Sequence, residues 1–193
     1  MIKILINPFE KYSDNKLLIS GIIATFLGVL LGYTFNGIYD GVLDMHAVKN
    51  IFFKELIYCL IIDLLTIGMI LFFLGKYINS KSRFVDILTT ILISKIPVYL
   101  LTITNFNGFA NKIGLEIQIS FLKNKMNDFS GIFLFELILL AILSLLVLVW
   151  TLILLYNGFK TATNLKLNKH IFLFVIAIIS AEIISKILIS KFL

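Results

Sequence analysis

The stretch "TILISKIPVYLLTI", Thr90 to Ile103, is an almost unbroken apolar run with a lysine and a proline near its middle. About 20 mainly apolar residues carry a helix across roughly 30 Å of hydrocarbon, and this run with its flanks is long enough. If it spans a membrane, Lys95 stands where an ammonium is least welcome. The composition of the whole chain supports that reading. Its 193 residues are 60% hydrophobic and 15% charged, against about 45–50% and about 25% in ordinary globular domains. A water-soluble domain of this size could not hide so much apolar surface, so the chain reads as an all-α polytopic membrane protein.

Five segments qualify as spans: Leu17 to Tyr39, Ile51 to Leu74, Val85 to Phe106 around the quoted run, Gly131 to Tyr156, and Ile171 to Leu193. No internal repeat or low-complexity linker divides them, so residues 1–193 are expected to form one domain. The opening "MIKILINPFEKY" holds too short an apolar run for a signal-peptide core, and no small-residue cleavage site comes after it.

Loop charges set the expected direction. The N-terminal tail (Lys3, Lys11, Lys16), the second–third connection (Lys76, Lys81, Arg83) and the fourth–fifth connection (Lys160, Lys166, Lys169) share one side. The other side has Lys49, Lys112, Lys123 and Lys125, diluted by Asp40, Asp44, Glu116 and Asp128. Nine cations against four place the N-terminus in the cytoplasm and the C-terminus outside. The same clustering turns the net charge of +6 toward anionic lipid rather than nucleic acid, since no basic face is interleaved with stacking aromatics. Two stretches outside the spans are expected to lie at the interface. "NKIGLEIQISFLKNKMNDF" (Asn111 to Phe129) alternates like a strand at Ile113, Leu115, Ile117, Ile119 and Phe121. It also places Leu115, Ile119, Leu122 and Met126 on one helix face. A lone strand leaves its backbone unpaired, which favours a short interfacial helix. "NPFEKY" is expected to do the same, with Phe9 and Tyr12 among headgroups.

Lys95 lies about ten residues into the third span, roughly 15 Å deep. Asp63 stands about eleven residues from the end of the second span, and the short connection makes these two spans an antiparallel hairpin. The two residues therefore share a depth. A lone charge at the bilayer centre costs on the order of 3 kcal/mol or more, so the spacing predicts an Asp63–Lys95 pair. A second set lies toward the outer ends of the last two spans: Glu182 and Lys186, four apart with the acid first, and Glu136 at the depth of Lys186. Lys186 is also long enough to snorkel outward. No polar stripe along the sequence links the two sets, and acids nearly balance bases, which favours structural glue over an ion pathway. Pro97 should kink the third span and free the Ile93 carbonyl for Ser94 or the Lys95 ammonium. Gly28 and Gly32 in "GVLLG" have the spacing that lets helices approach closely, within one chain or between two copies.

No chemistry-bearing motif stands out. There is no His-Glu-x-x-His, nucleophile elbow, phosphate-cradling glycine loop or acid dyad. His46 and His170 are far apart and lack metal-ligand company, and the lone Cys59 excludes an intrachain disulfide. No catalysis, metal or cofactor is expected.

"LGKYINSKSRFVDILTTILISKIPVYLL" resembles the second-to-third span passage of the Yip family of Ypt-interacting proteins, with Gly75, Phe84 and Pro97 at recurring positions. "WTLILLYNGFKTATNLKLNKHIFLFVIAII" resembles its fourth-to-fifth passage through Trp150, Gly158 and Lys160, and "NPFEKYSDNK" resembles the short entry of bacterial members. The resemblance implies five spans, a cytoplasmic N-terminus and no catalytic residues. Eukaryotic members are associated with Rab-type GTPases, usually through a long soluble N-terminal region. Here only about sixteen residues precede the first span, which argues against Rab binding and points to a bacterial cytoplasmic membrane. The expected function is a non-enzymatic scaffold that organises the bilayer or recruits membrane partners, with a homo-oligomer formed through the first-span glycines. The alternative is a small-solute or ion transporter using Asp63 and Lys95.

Overall fold

The computed structural model describes residues 2–123 and 129–192, so the expectations placed on Lys125, Met126, Asp128 and Leu193 lie outside the described residues. Helices account for 81% of the structure. After a short α1 (Ile2–Ile6) come α2 (Asp14–Thr34), α3 (Phe53–Ile78), α4 (Phe84–Ser94), α5 (Ile96–Leu101), α6 (Phe109–Leu122), α7 (Gly131–Thr163) and α8 (Asn168–Phe192). Five helical stretches are long and apolar enough to cross a membrane: α2, α3, the run from α4 to α6, α7 and α8.

The run beginning with α4 is the hub. It packs on α2, α3 and α7, whereas α8 lies against α3. Small side chains make these contacts close. A Cβ at Gly158 of α7 would meet the Thr90 side chain of α4 at 2.5 Å and the Phe9 ring at 2.7 Å. Phe9 is therefore wedged against α7 beside α4. Pro8 opens the 3₁₀ turn Pro8–Glu10, where its missing N–H costs nothing. The preceding α1 is tied to α7, because the Leu5 and Ile6 carbonyls accept from Trp150 Nε1 and Asn157 Nδ2, both at 2.8 Å.

The third span breaks at Lys95, between α4 and α5, one residue before the proline's helical neighbour Ile96. The Ile93 carbonyl does not take the expected donors: Ser94 Oγ donates to Ile91 O, and the ammonium points elsewhere. Beyond α5 a 3₁₀ stretch, Thr102–Gly108, ends in Asn107 and Gly108 at φ 53° and 75°, and there the chain turns into α6. That helix settles the strand-or-helix ambiguity of the outer segment. Asn111 fixes its start, its N–H donating to Asn105 Oδ1 and its amide to the Ala47 carbonyl.

The first span ends at Thr34, five residues sooner than the hydropathy suggests, because Asn36 turns left-handed at φ 51°. The connection from there to α3 is not an outer loop. Two short antiparallel strands, β1 (Gly37–Ile38) and β2 (His46–Ala47), pair Gly37 with Ala47 and Ile38 with His46, and the hairpin turns back into the bundle. Tyr39 and Val42 are fully buried. The Tyr39 hydroxyl donates to the Gly28 carbonyl at 2.7 Å, six residues back down α2. Val42 joins a core that includes Leu71, Ile91, Phe159 and Phe174. Irregular backbone survives at membrane depth only where protein surrounds it, and here four helices do so.

Candidate functional site: a charge network closed by a re-entrant hairpin

Asp63 stands on α3 and Lys95 at the break of the third span, with Lys95 Nζ 3.1 Å from Asp63 Oδ2. They are 0% and 1% exposed. A two-residue pair would leave an ammonium with unused protons in oil, and the hairpin supplies the next acceptor. The Gly41 carbonyl takes a second hydrogen bond from Lys95 at 3.1 Å. A Cβ at this tip would press on the ends of the Glu182 and Lys186 side chains, with Lys186 Cε at 2.9 Å, so a larger residue has to push both aside.

The hairpin then continues the network outward. The Leu43 N–H donates to Glu182 Oε2 at 2.9 Å. Lys186 bridges Glu182 Oε1 at 3.1 Å and Asp44 Oδ2 at 2.8 Å. His46 Nδ1 meets Asp40 Oδ1 at 2.7 Å, and its Nε2 lies 3.8 Å from Asp44. The two charge sets, unconnected along the sequence, thus become one chain of contacts through Gly41, Leu43 and Asp44. Burial falls along it, from the sealed Asp63 to His46, which is 56% exposed. Burial pushes the Asp44 carboxyl up, but the Lys186 hydrogen bond, the His46 and Lys186 charges and the Met45 amide outweigh it and hold it below the usual range. The hydrogen bond with Asp40, helped by both aspartate charges, raises His46 against its partial burial and the Lys186 charge.

Two expectations need correction. Glu136 does not join Lys186. It stands half-buried on α7 and forms no ion pair among the described residues, while Lys186 turns toward the hairpin. His46 also has carboxylate company, since ligand-type atoms of Asp40, Asp44 and His46 lie within 4.8 Å of one another. At 2.7 Å, however, the His46–Asp40 contact is a hydrogen bond with no room for an ion between the two atoms.

The glycines of the first span are used inside the chain. A Cβ at Gly28 would lie 2.5–2.7 Å from three Tyr99 ring carbons, and one at Gly32 3.0 Å from the Gly37 carbonyl. Gly21 faces Leu92 in the same way. This face is occupied by the hairpin and the third span, so it is not open to a second copy. Of the two expected uses of Gly28 and Gly32, close approach within one chain is the one that the structure contains.

Apolar helices of spanning length, charges buried between them and a hairpin sunk among them define an integral multi-pass helical membrane protein. The family model of the Yip1 domain matches residues 2–188, and the chain belongs to that family. No curated protein and no solved structure matches it.

Proposed function

We propose that the chain is a non-enzymatic scaffold of Yip type, a five-span bundle that organises the bilayer around it or recruits other membrane proteins. Its setting in this reading is a bacterial cytoplasmic membrane, with the nine-cation end inside and the C-terminus outside. A Rab-type GTPase is not among the partners assigned. The observation that carries the reading is the sealing of Asp63 and Lys95. A transport site has to meet water or solute from each side in turn, and intramembrane charges that serve one face a cavity or pathway. Here the ammonium is spent on a carboxylate and a backbone carbonyl, and the hairpin fills the space above them. That arrangement holds three segments in register and offers nothing to a passing ion.

The test is flux. Liposomes carrying the full chain, wild type or Asp63→Asn, are loaded with a pH or potassium reporter and given an ion gradient. The scaffold reading expects both to leak no faster than empty liposomes. A wild-type flux that Asp63→Asn abolishes would establish the transporter instead.

A further inference from the structure

The lysine-rich end carries a feature that the charge network does not use. α2 and α7 flank the third span, and a slot of about 580 Å³ lies beside it, within the roughly 300–1,000 Å³ typical of small-ligand sites. Ile93 and Ile96, on either side of the helix break, form its floor, and α1 lies over it through Leu5. The deep part is apolar. Lys16, Tyr12 and Ser20 stand nearer the mouth, close to the start of α2. Ile96 lies twelve residues into the third span, roughly 18 Å from its start. The slot therefore runs from the polar end of the bundle to mid-depth, the shape of a headgroup with one hanging chain.

Charge selects the headgroup. At this end Lys3 pairs with Glu10, and Arg83 pairs with Asp14 and Asp86. Lys16 and Lys11 form no ion pair among the described residues, and the Lys11 ammonium lies 5.6 Å over the Tyr12 ring. Lys16 thus lines the slot as a cation without a paired acid among the described residues, and Lys11 stands beside the Tyr12 ring that also lines it. A chain already dissolved in lipid gains little apolar burial by entering an apolar slot, so preference has to come from what the headgroup meets.

We propose that this slot holds one acyl chain of an anionic phospholipid, with its phosphate at Lys16 and the Tyr12 hydroxyl. The inference stands apart from the scaffold reading, because a transporter could carry the same lipid and the flux assay does not report on it. The test is native mass spectrometry of the full chain released from micelles holding equal phosphatidylglycerol and phosphatidylcholine with identical chains. The wild type should retain one phosphatidylglycerol in clear preference to phosphatidylcholine. Lys16→Gln should lower that preference about five-fold, the equivalent of the ~1 kcal/mol a near-surface lysine contributes. Ser20→Trp, filling an exposed wall of the slot, should remove both lipids, and Ile19→Trp on the same exposed face serves if the first does not fold. Equal retention of the two lipids by the wild type would overturn the proposal. So would lipid kept by the filled variants, or a dimer that those variants abolish.

Discussion

Two lysine–carboxylate clusters meet the same hairpin under opposite conditions. Lys95 and Asp63 are sealed, with side chains 2% and 0% exposed, whereas Lys186, Asp44 and Glu182 stand at 43%, 38% and 21%. The chemistry is shared, so the difference in burial decides what each cluster is worth. Removing one partner from a buried pair strands the other charge and costs about 3–5 kcal/mol, while partners that keep some exposure are stranded at a smaller cost. Lys95→Met should therefore lower stability by the larger amount, read from thermal or SDS unfolding of the full chain in mild detergent. Lys186→Met should lower it less, because Glu182 and Asp44, which it leaves behind, keep some exposure and the Leu43 N–H still serves Glu182. The double variant Asp63→Leu/Lys95→Met should recover most of the loss, because no charge is left in oil. A charge swap is a poorer control, since an aspartate at position 95 would face the Gly41 carbonyl, which can only accept. Equal losses from Lys95→Met and Lys186→Met would break the comparison.

Glycines sharpen it at the next level down. Gly28 and Gly68 both lie inside spanning helices, but the Tyr99 ring presses on the first while the nearest atom to a Cβ on the second is Ile91 Cδ1 at 3.9 Å. Tyr99 is itself wedged against Tyr39, with ring centroids 5.2 Å apart, so it has nowhere to retreat. Gly28→Ala should cost about 1–3 kcal/mol by overpacking. Gly68→Ala should be neutral or gain up to about 1 kcal/mol from helix propensity. The same unfolding assay separates them, and a tolerated Gly28→Ala would show that the hairpin does not press Tyr99 onto α2.

The contrast also explains what could be read from the chain alone. Depth is legible where a short connection fixes it: counting residues from the span ends puts Asp63 beside Lys95. Lateral position is not, because it depends on which faces of α7 and α8 meet their neighbours. Glu136 and Lys186 accordingly form no ion pair with each other, and Lys186 meets Asp44 and Glu182 instead. The hairpin was hidden for another reason. "NGIYDGVLDMHA" carries the glycines and acids of a solvated turn, and its signals of burial, Ile38, Tyr39 and Val42, are too few to register as a span. A warning was available in its length, since even the 11 residues between Tyr39 and Ile51 exceed the roughly 2–8 that join neighbouring helices in bundles. The glycines of α2 misled in the opposite direction: their spacing announces a close approach but does not name the partner, which is Tyr99 and the hairpin.

The smallest effect belongs to the exposed end of the network, where pH acts. His46 is raised by its Asp40 hydrogen bond, with Asp44 adding attraction and Lys186 opposing it. A raised folded value means that its contribution is complete below the unfolded value of about 6.5 and is lost as pH climbs through the folded one. Asp44 is held low, so its contribution is present above about 3.9 and is lost as pH falls. The hairpin should be firmest between those limits and loosen toward alkaline pH by less than about 1 kcal/mol, because the pair is more than half exposed on the histidine side. Melts at about pH 6 and pH 9 should differ in the wild type, with the difference shrinking in His46→Gln. The sealed Asp63–Lys95 pair holds Gly41, so the effect of pH is expected at the exposed His46 side. If His46→Gln leaves the pH slope unchanged, the histidine is a bystander, and the hairpin is held by its other ties, among them Tyr39, Gly41, Leu43 and Asp44.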